Sequence, residues 1–484
     1  MRETEPGKPG RELRPPEPGR KWLDRLARLD FSYFFALLGE STLAITFVFY
    51  VLIARAVGPG PYGMFSAAVA LGGILGVLIQ FGLPVLLTRN VAADPGEGTR
   101  QTRQFIAIQL VHTVPVLLIL PLLIHLMGFS RQGAALCYLM VFAELCRSVK
   151  MLWRSIMKGN SWFHLESLSV FAERLFSALL AGTVLFTTGS LVLTTAALVF
   201  ARIVDNVVTG VCLGRRFQLT ADRQTPAWTE TWRRALPFAL HGLLWVLYYQ
   251  VDMIMLKAMA PEVEVGYYGA AYRVLEIFAA LPRVVFYVAF TRFAQCHVQD
   301  PARMPGHIYR AARVLLLLVL PALLAAGFLQ PLLVPFLFGN AYLASVGLLA
   351  VLLPGLAVKM FGSLNEEYLL ATGAEKKLPP LMLAVALSNI SANLLLIPRF
   401  GAMGAAVATG ISECVFFSLG LRLLLKSPVR RAARQLVLIA FPSVLIALAP
   451  SLAVAGASVG LVSALVAGGI LAVIAMMRPR FFGR

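Results

Sequence analysis

The stretch Ala54–Asn90, ARAVGPGPYGMFSAAVALGGILGVLIQFGLPVLLTRN, is a long apolar run punctuated by glycine and proline, with Arg55 and Arg89 near its two ends. Its opening has an echo later in the chain. GPYGMFSAAVA at Gly60 aligns with VEVGYYGAAYR at Val263, placing Gly63 against Gly266 and Ala67–Ala68 against Ala270–Ala271. The offset is 203 residues, and the same offset carries Thr88–Arg89 onto Thr291–Arg292. The two halves are therefore parallel repeats, a transporter plan that puts the substrate site between two lobes. Within the stretch, GPGPYG reads as a tight turn, with Pro61 and Gly63 supplying its chemistry.

Composition sets the solvent. Of 484 residues, 58% are apolar and only 14% charged, with a mean hydropathy of +0.77. Apolar runs of spanning length recur almost from end to end. Their continuity points to helices that satisfy their own backbone in lipid; the alternation of a transmembrane barrel is missing. The chain reads as an all-α polytopic membrane protein of about fourteen transmembrane helices. The approximate spans are 31–54, 62–88, 104–127, 133–153, 165–187, 190–212 and 235–259, then 265–291, 308–330, 342–371, 378–397, 402–425, 433–453 and 456–477.

The loops orient the spans. Arg100 and Arg103, Arg154 and Lys158, Arg215 to Arg234, Arg303, Lys376 and Lys377, and Lys426 to Arg431 all follow even-numbered spans. Loops after odd-numbered spans hold little beyond Arg55, Arg131 and Arg399, and one is acidic through Glu262 and Glu264. Both termini are expected in the cytoplasm. The same scatter explains the net charge of +19 without a basic stripe for nucleic acid. The five cysteines are odd in number and hold no CxxC, so they read as inert thiols, with no metal site.

The expected organisation has five parts. Residues 1–30, rich in Pro, Gly and charge, form a disordered to amphipathic cytoplasmic tail without a signal-peptide core. Residues 31–212 and 235–425 form two six-helix lobes around a central cavity. Residues 213–234 link them, with Trp228 and Trp232 suggesting an interfacial helix. Residues 433–477 add a helix pair.

Three segments together resemble the oligosaccharide flippases of bacterial polysaccharide export, within the multidrug/oligosaccharidyl-lipid/polysaccharide exporter superfamily. They are IARAVGPGPYGMFSAAVAL…FGLPVLLTRNVA, LPFALHGLLWVLYYQVDMIMLKAMAPEVEVGYYGAAYRVLEIFAALPRVVF, and LIPRFGAMGAAVATGISE from Leu396 to Glu413. The resemblance runs from about Phe31 to Leu425. It implies two six-helix bundles opening alternately to the two sides of a bacterial cytoplasmic (inner) membrane. The implied cargo is an oligosaccharide on a polyprenyl pyrophosphate carrier, with polysaccharide polymerase and assembly proteins as partners and no cofactor. The last two spans resemble the extra pair of murein lipid II flippases, where the pair helps form a groove for the lipid tail.

Moving a pyrophosphate through a low-dielectric slab calls for intramembrane cations with carboxylate partners. In the fourth span, Arg147, Lys150 and Arg154 share one helical face, with Glu144 nearby. Lys150 and Arg154 also suit snorkelling at the cytoplasmic end. In the eighth span, Arg273, Glu276 and Arg283 share a face, either lining the cavity or pairing with a neighbouring helix. Asp252 in the seventh span is a partner for Arg273. Lys359 and Glu366 lie two turns apart in the tenth span. With Arg55, an outer-side cation, the cationic candidates are Arg55, Arg147, Lys150, Arg154, Arg273, Arg283 and Lys359. The candidates for ion coupling or pairing are Glu144, Glu173, Asp252, Glu276 and Glu366. Asn389 and Asn393 read as glue between helices.

Three other functions compete. A multidrug or cation exporter needs carboxylates with few cations, whereas arginines accompany nearly every buried acid here. A murein lipid II flippase shares the span count. A membrane glycan polymerase or ligase needs a sizeable outer loop, and the outer loops are short; the chain also carries no P-loop, HExxH or nucleophile elbow.

Overall fold

A computed structural model describes residues 31–217, 227–454 and scattered positions between 456 and 468. The N-terminal tail, residues 218–226 of the interlobe linker and most of the fourteenth span lie outside the described residues. Among the described residues, every regular element is a helix.

In chain order these are α1 (Phe31–Val57), α2 (Pro59–Gln80), α3 (Leu83–Ala93), α4 (Pro95–Leu126), α5 (Arg131–Gly159), α6 (Phe163–Thr188) and α7 (Leu191–Phe217). The second half holds α8 (Trp228–Met259), α9 (Glu262–Ala280), α10 (Pro282–Gln299), α11 (Met304–Phe338), α12 (Ala344–Ala371), α13 (Leu378–Leu425) and α14 (Arg430–Val454). These make thirteen of the fourteen expected spans, because α2 with α3 and α9 with α10 each form one broken span, and α13 contains two.

The breaks follow local chemistry. Phe81 and Gly82 are both left-handed, with φ of 46° and 69°, and Pro84 restarts the helix as α3. The chain does not turn back there, because both pieces track α5 in one parallel register. An added Cβ on Gly72 would meet Met140 and one on Gly76 would meet Glu144. Below the break, the Ser155 hydroxyl donates to the Pro84 carbonyl and Gly159 abuts Val91. In α13, Gly401 has φ 54° and ψ −131°. A Cβ on Gly404 would lie 2.4 Å from the Leu396 carbonyl, eight residues earlier, so the chain reverses at Gly401 into two antiparallel spans.

Two sequence expectations are corrected. Only Gly58, with φ 76°, breaks the helix between α1 and α2; Pro59 and Pro61 sit in the first turn of α2, and Gly63 lies inside that helix. Trp228 and Trp232 belong to α8 itself, which runs on through Pro237, so they form no separate interfacial helix.

Burial separates lobe centres from lipid faces. The apolar windows of α2 and α12 are each 78% buried, against 28% for α4. Leu118, Leu332, Phe336 and Tyr287 stand exposed on outer helices, where acyl chains take the place of a core partner.

The lobes are pinned at the charge-poor end, where α1 meets α2 and α8 meets α9. Gly63 and Gly266, the aligned positions of the repeat, face each other there. A Cβ on Gly63 would fall 1.9 Å from the Glu262 carbonyl, and one on Gly266 1.9 Å from the Pro59 carbonyl. Only glycine at both positions lets the two backbones touch. Nearby, buried Lys257 donates to the Met127 and Gly128 carbonyls of the other lobe, at 3.2 Å each.

Candidate functional site

A tract of charged and aromatic side chains runs at membrane depth from one lobe to the other. On the N-lobe side, α5 presents Glu144, which pairs with Arg147 on its own helix and, at 3.7 Å, with Arg202 on α7. Gly76 on α2 makes the room: a Cβ there would sit 2.8 Å from Oε2 of Glu144. Arg147 keeps 37% of its side chain exposed and lies within electrostatic reach of Glu173 and of Tyr50 on α1. Arg174 on α6 joins the same group.

Tyr50 is the bridge between lobes. The guanidinium of Arg273, from α9, lies over its ring, 3.8 Å from the centroid, a stacked cation–π geometry. Arg273 also donates to Glu276, one turn on, at 2.8 Å. Glu276 and Tyr272 then wall a small pocket shared by α8, α9, α12 and the second span of α13, together with Tyr249, Lys359, Thr409 and Glu413. The space open to water-sized molecules there is about 40 Å3, room for a few waters.

At the floor of that pocket, Lys359 donates to Glu413 at 3.2 Å and to the Tyr248 hydroxyl at 3.0 Å. The Tyr248 hydroxyl in turn donates to Glu413. The ammonium lies 4.1 Å from the centroid of the Tyr249 ring. Behind it, Asp252 is caged: Oδ1 accepts from Asn393 at 2.6 Å, and Oδ2 accepts from Thr409 at 2.6 Å and from Tyr268 at 3.0 Å. Asn393 also donates to Asn389 on its own helix, so through Asp252 it ties α13 to α8.

The family model described as "Polysaccharide biosynthesis protein" matches residues 33–297, more than half of the chain. The chain belongs to that family. No curated protein matches it. Among solved structures, it is similar to the lipid II flippase MurJ in an inward closed conformation, at 16% identity and a TM-score of 0.70, covering 92% of this chain and 98% of that one. It is also similar to an inward-facing multidrug resistance MATE transporter of the MOP superfamily, at 14% identity and a TM-score of 0.64 over 83% and 99% of the two chains. A third is a MOP superfamily transporter from Pyrococcus furiosus, whose binding pocket is described as reversed in polarity (16% identity, TM-score 0.57, 83% and 98% covered). At these identities the likeness is one of fold.

Within this member of the polysaccharide biosynthesis family, the candidate residues fall into two groups. Arg147, Glu144, Glu173, Arg273, Glu276, Lys359 and Asp252 belong to the tract or its immediate support. The others stand elsewhere. Lys150 is buried and bonded to Asp205 at 2.6 Å, Ser169 at 2.7 Å and Thr209 at 2.8 Å, all within the N-lobe. Arg154 donates to Glu166 at 2.7 Å. Arg55, at the charge-poor end, donates to the Phe336 carbonyl near the end of α11 at 3.1 Å. Arg283 is exposed on α10, past the break at Leu281, and Glu366 is half-buried on α12.

One pairing differs from expectation: Arg273 engages Glu276 and Tyr50 rather than Asp252. Lys359 engages Glu413 from the following helix. Tyr50, Tyr249 and Glu413 are among the tract members that sequence reasoning missed. Glu413 is the last residue of the third signature segment, and its place in an apolar run was the available signal; Tyr50 had none.

Proposed function

We propose that the protein is a lipid-linked oligosaccharide flippase. It moves a glycan on undecaprenyl pyrophosphate across the bacterial cytoplasmic membrane by alternating access, with both termini on the cytoplasmic side. The observation that carries this reading is the guanidinium of Arg273 from one lobe over the ring of Tyr50 from the other, in a tract whose N-lobe end carries Arg147 and Arg202. Two guanidiniums flanking the seam between lobes suit a diphosphate, which guanidinium binds in a planar, bidentate way. Because they belong to different lobes, such an anion would feel the two halves move relative to each other.

A cation exporter fits less well, since three carboxylates of the tract already have a cationic partner: Glu144 with Arg147 and Arg202, Glu276 with Arg273, Glu413 with Lys359. Asp252 differs, being held by neutral donors alone. A carboxylate at membrane depth surrounded by hydroxyl and amide groups is the reading's candidate for ion coupling.

The test is Arg147→Ala and Arg273→Ala, assayed for glycan export in cells. Both variants should insert and accumulate while export falls to background. Undiminished export in both would remove the basis for an anionic cargo.

A further inference from the structure

Glu413 is almost wholly buried, and only one of its carboxylate oxygens is used. Oε1 accepts from both Lys359 and Tyr248; Oε2 is buried with no hydrogen-bond partner. A buried acceptor left unsatisfied costs roughly 1–3 kcal/mol, more when charged, so Oε2 gains from any hydrogen bond donated to it. Glu413 lines the pocket whose other polar walls are Tyr249, Tyr272, Glu276, Lys359 and Thr409.

The chemistry of the walls selects the occupant. Lys359 is compensated by Glu413, and Glu276 by Arg273. A phosphate gains no net attraction there, and a cation meets the Lys359 ammonium on the far side of the same carboxylate. A neutral polyol is different, because each hydroxyl both donates and accepts. Its hydroxyls match a free carboxylate oxygen beside phenol, hydroxyl and ammonium groups, and its apolar ring edge matches the flanks of Tyr249, Tyr272, Leu352 and Leu356. The open space of about 40 Å3 admits the hydroxyl-bearing edge of one ring in place of water, not a whole oligosaccharide.

We propose that this C-lobe pocket, with the free oxygen of Glu413 at its floor, is a subsite for a neutral sugar residue of the cargo, separate from the arginines at the lobe seam. The proposal rests on the flippase reading and adds a division of labour to it: the seam holds the diphosphate, and the pocket senses that a sugar is attached.

The test compares two probes against the full-length protein in nanodiscs by native mass spectrometry: undecaprenyl pyrophosphate, and the same carrier bearing one N-acetylglucosamine. Wild-type protein should favour the sugar-bearing lipid by about tenfold, the order expected when a site built for hydroxyls is otherwise left unpaired. Glu413→Gln, which keeps an oxygen for Lys359 but puts an amide donor where the free acceptor was, should bring the two affinities together. Tyr249→Ala should do the same, and Tyr249→Phe should keep most of the preference. Persistence of the preference in Glu413→Gln and Tyr249→Ala, or its absence in wild type, overturns the subsite. So does a fall in bare-carrier affinity as large as the fall for the sugar-bearing lipid. Failure of wild type to bind either lipid overturns the flippase reading itself, and the subsite with it.

Discussion

Arg273 lies over Tyr50, its guanidinium carbon 3.8 Å from the ring centroid, and this contact joins α9 of the second repeat to α1 of the first. The aromatic face attracts the guanidinium and leaves its edge to donate, one N–H of it to Glu276. Arg273→Lys preserves the charge but loses the planar stack. A loss of about 1–2 kcal/mol of interaction predicts roughly a tenfold drop in export rate. Tyr50→Leu should cause a similar drop, and the double variant should be little worse than either single one; additive losses in that cycle would mean the contact does not carry function.

Lys150 separates structure from transport. It is buried against Asp205, Ser169 and Thr209, so Lys150→Met leaves a partly buried carboxylate without its cation, at a cost on the order of 2 kcal/mol. Thermal denaturation in detergent should show a lowered Tm and less accumulated protein. Adding Asp205→Leu should recover most of the loss. A Lys150→Met protein of wild-type Tm would contradict a structural role.

Asp252→Asn tests ion coupling at the caged carboxylate. The neutral amide removes the only charge of the cage while keeping one oxygen acceptor, so the protein should still fold and insert. Transport into vesicles should lose its response to imposed sodium and proton gradients. A retained response to either gradient places the coupling group elsewhere.

At the charge-poor end, Gly63→Leu cannot be accommodated while the lobes touch, since even its Cβ would overlap the Glu262 carbonyl. The variant should populate the conformation open at that end. In a cysteine-free background, a cysteine at Tyr62, fully buried beside this contact, should become reactive to a membrane-impermeant maleimide only when Gly63 is replaced. Equal labelling with and without the replacement would falsify the seal.

The repeat and the spans were legible because lipid imposes them: long apolar runs must be helices, and loop arginines orient them. The charged candidates were legible one at a time, as costly residues in apolar runs. Their pairings were not. Periodicity places Lys359 and Glu366 on one helix, but the partner of Lys359 is Glu413, brought in by a helix reversal at Gly401. Tyr248 finds the same carboxylate from 165 residues away. Such contacts depend on how helices are rotated against each other, which no local spacing encodes. GPGPYG misled for a related reason: Gly63 has the composition of a turn, but it is glycine because another backbone passes through the space of its side chain.

That meeting of Gly63 with Gly266 has a consequence for how the gene can change. Residues that descend from one duplicated position now occlude each other, so neither copy can acquire a methyl group without colliding with the other half. The halves may drift apart everywhere else, as their arginines and tyrosines already have, while this one site stays locked in common. Parting two bare backbones itself breaks no ion pair, so the work of opening falls on the charge-assisted hydrogen bonds beside them, from Lys257 to the Met127 and Gly128 carbonyls and from Arg55 to the Phe336 carbonyl.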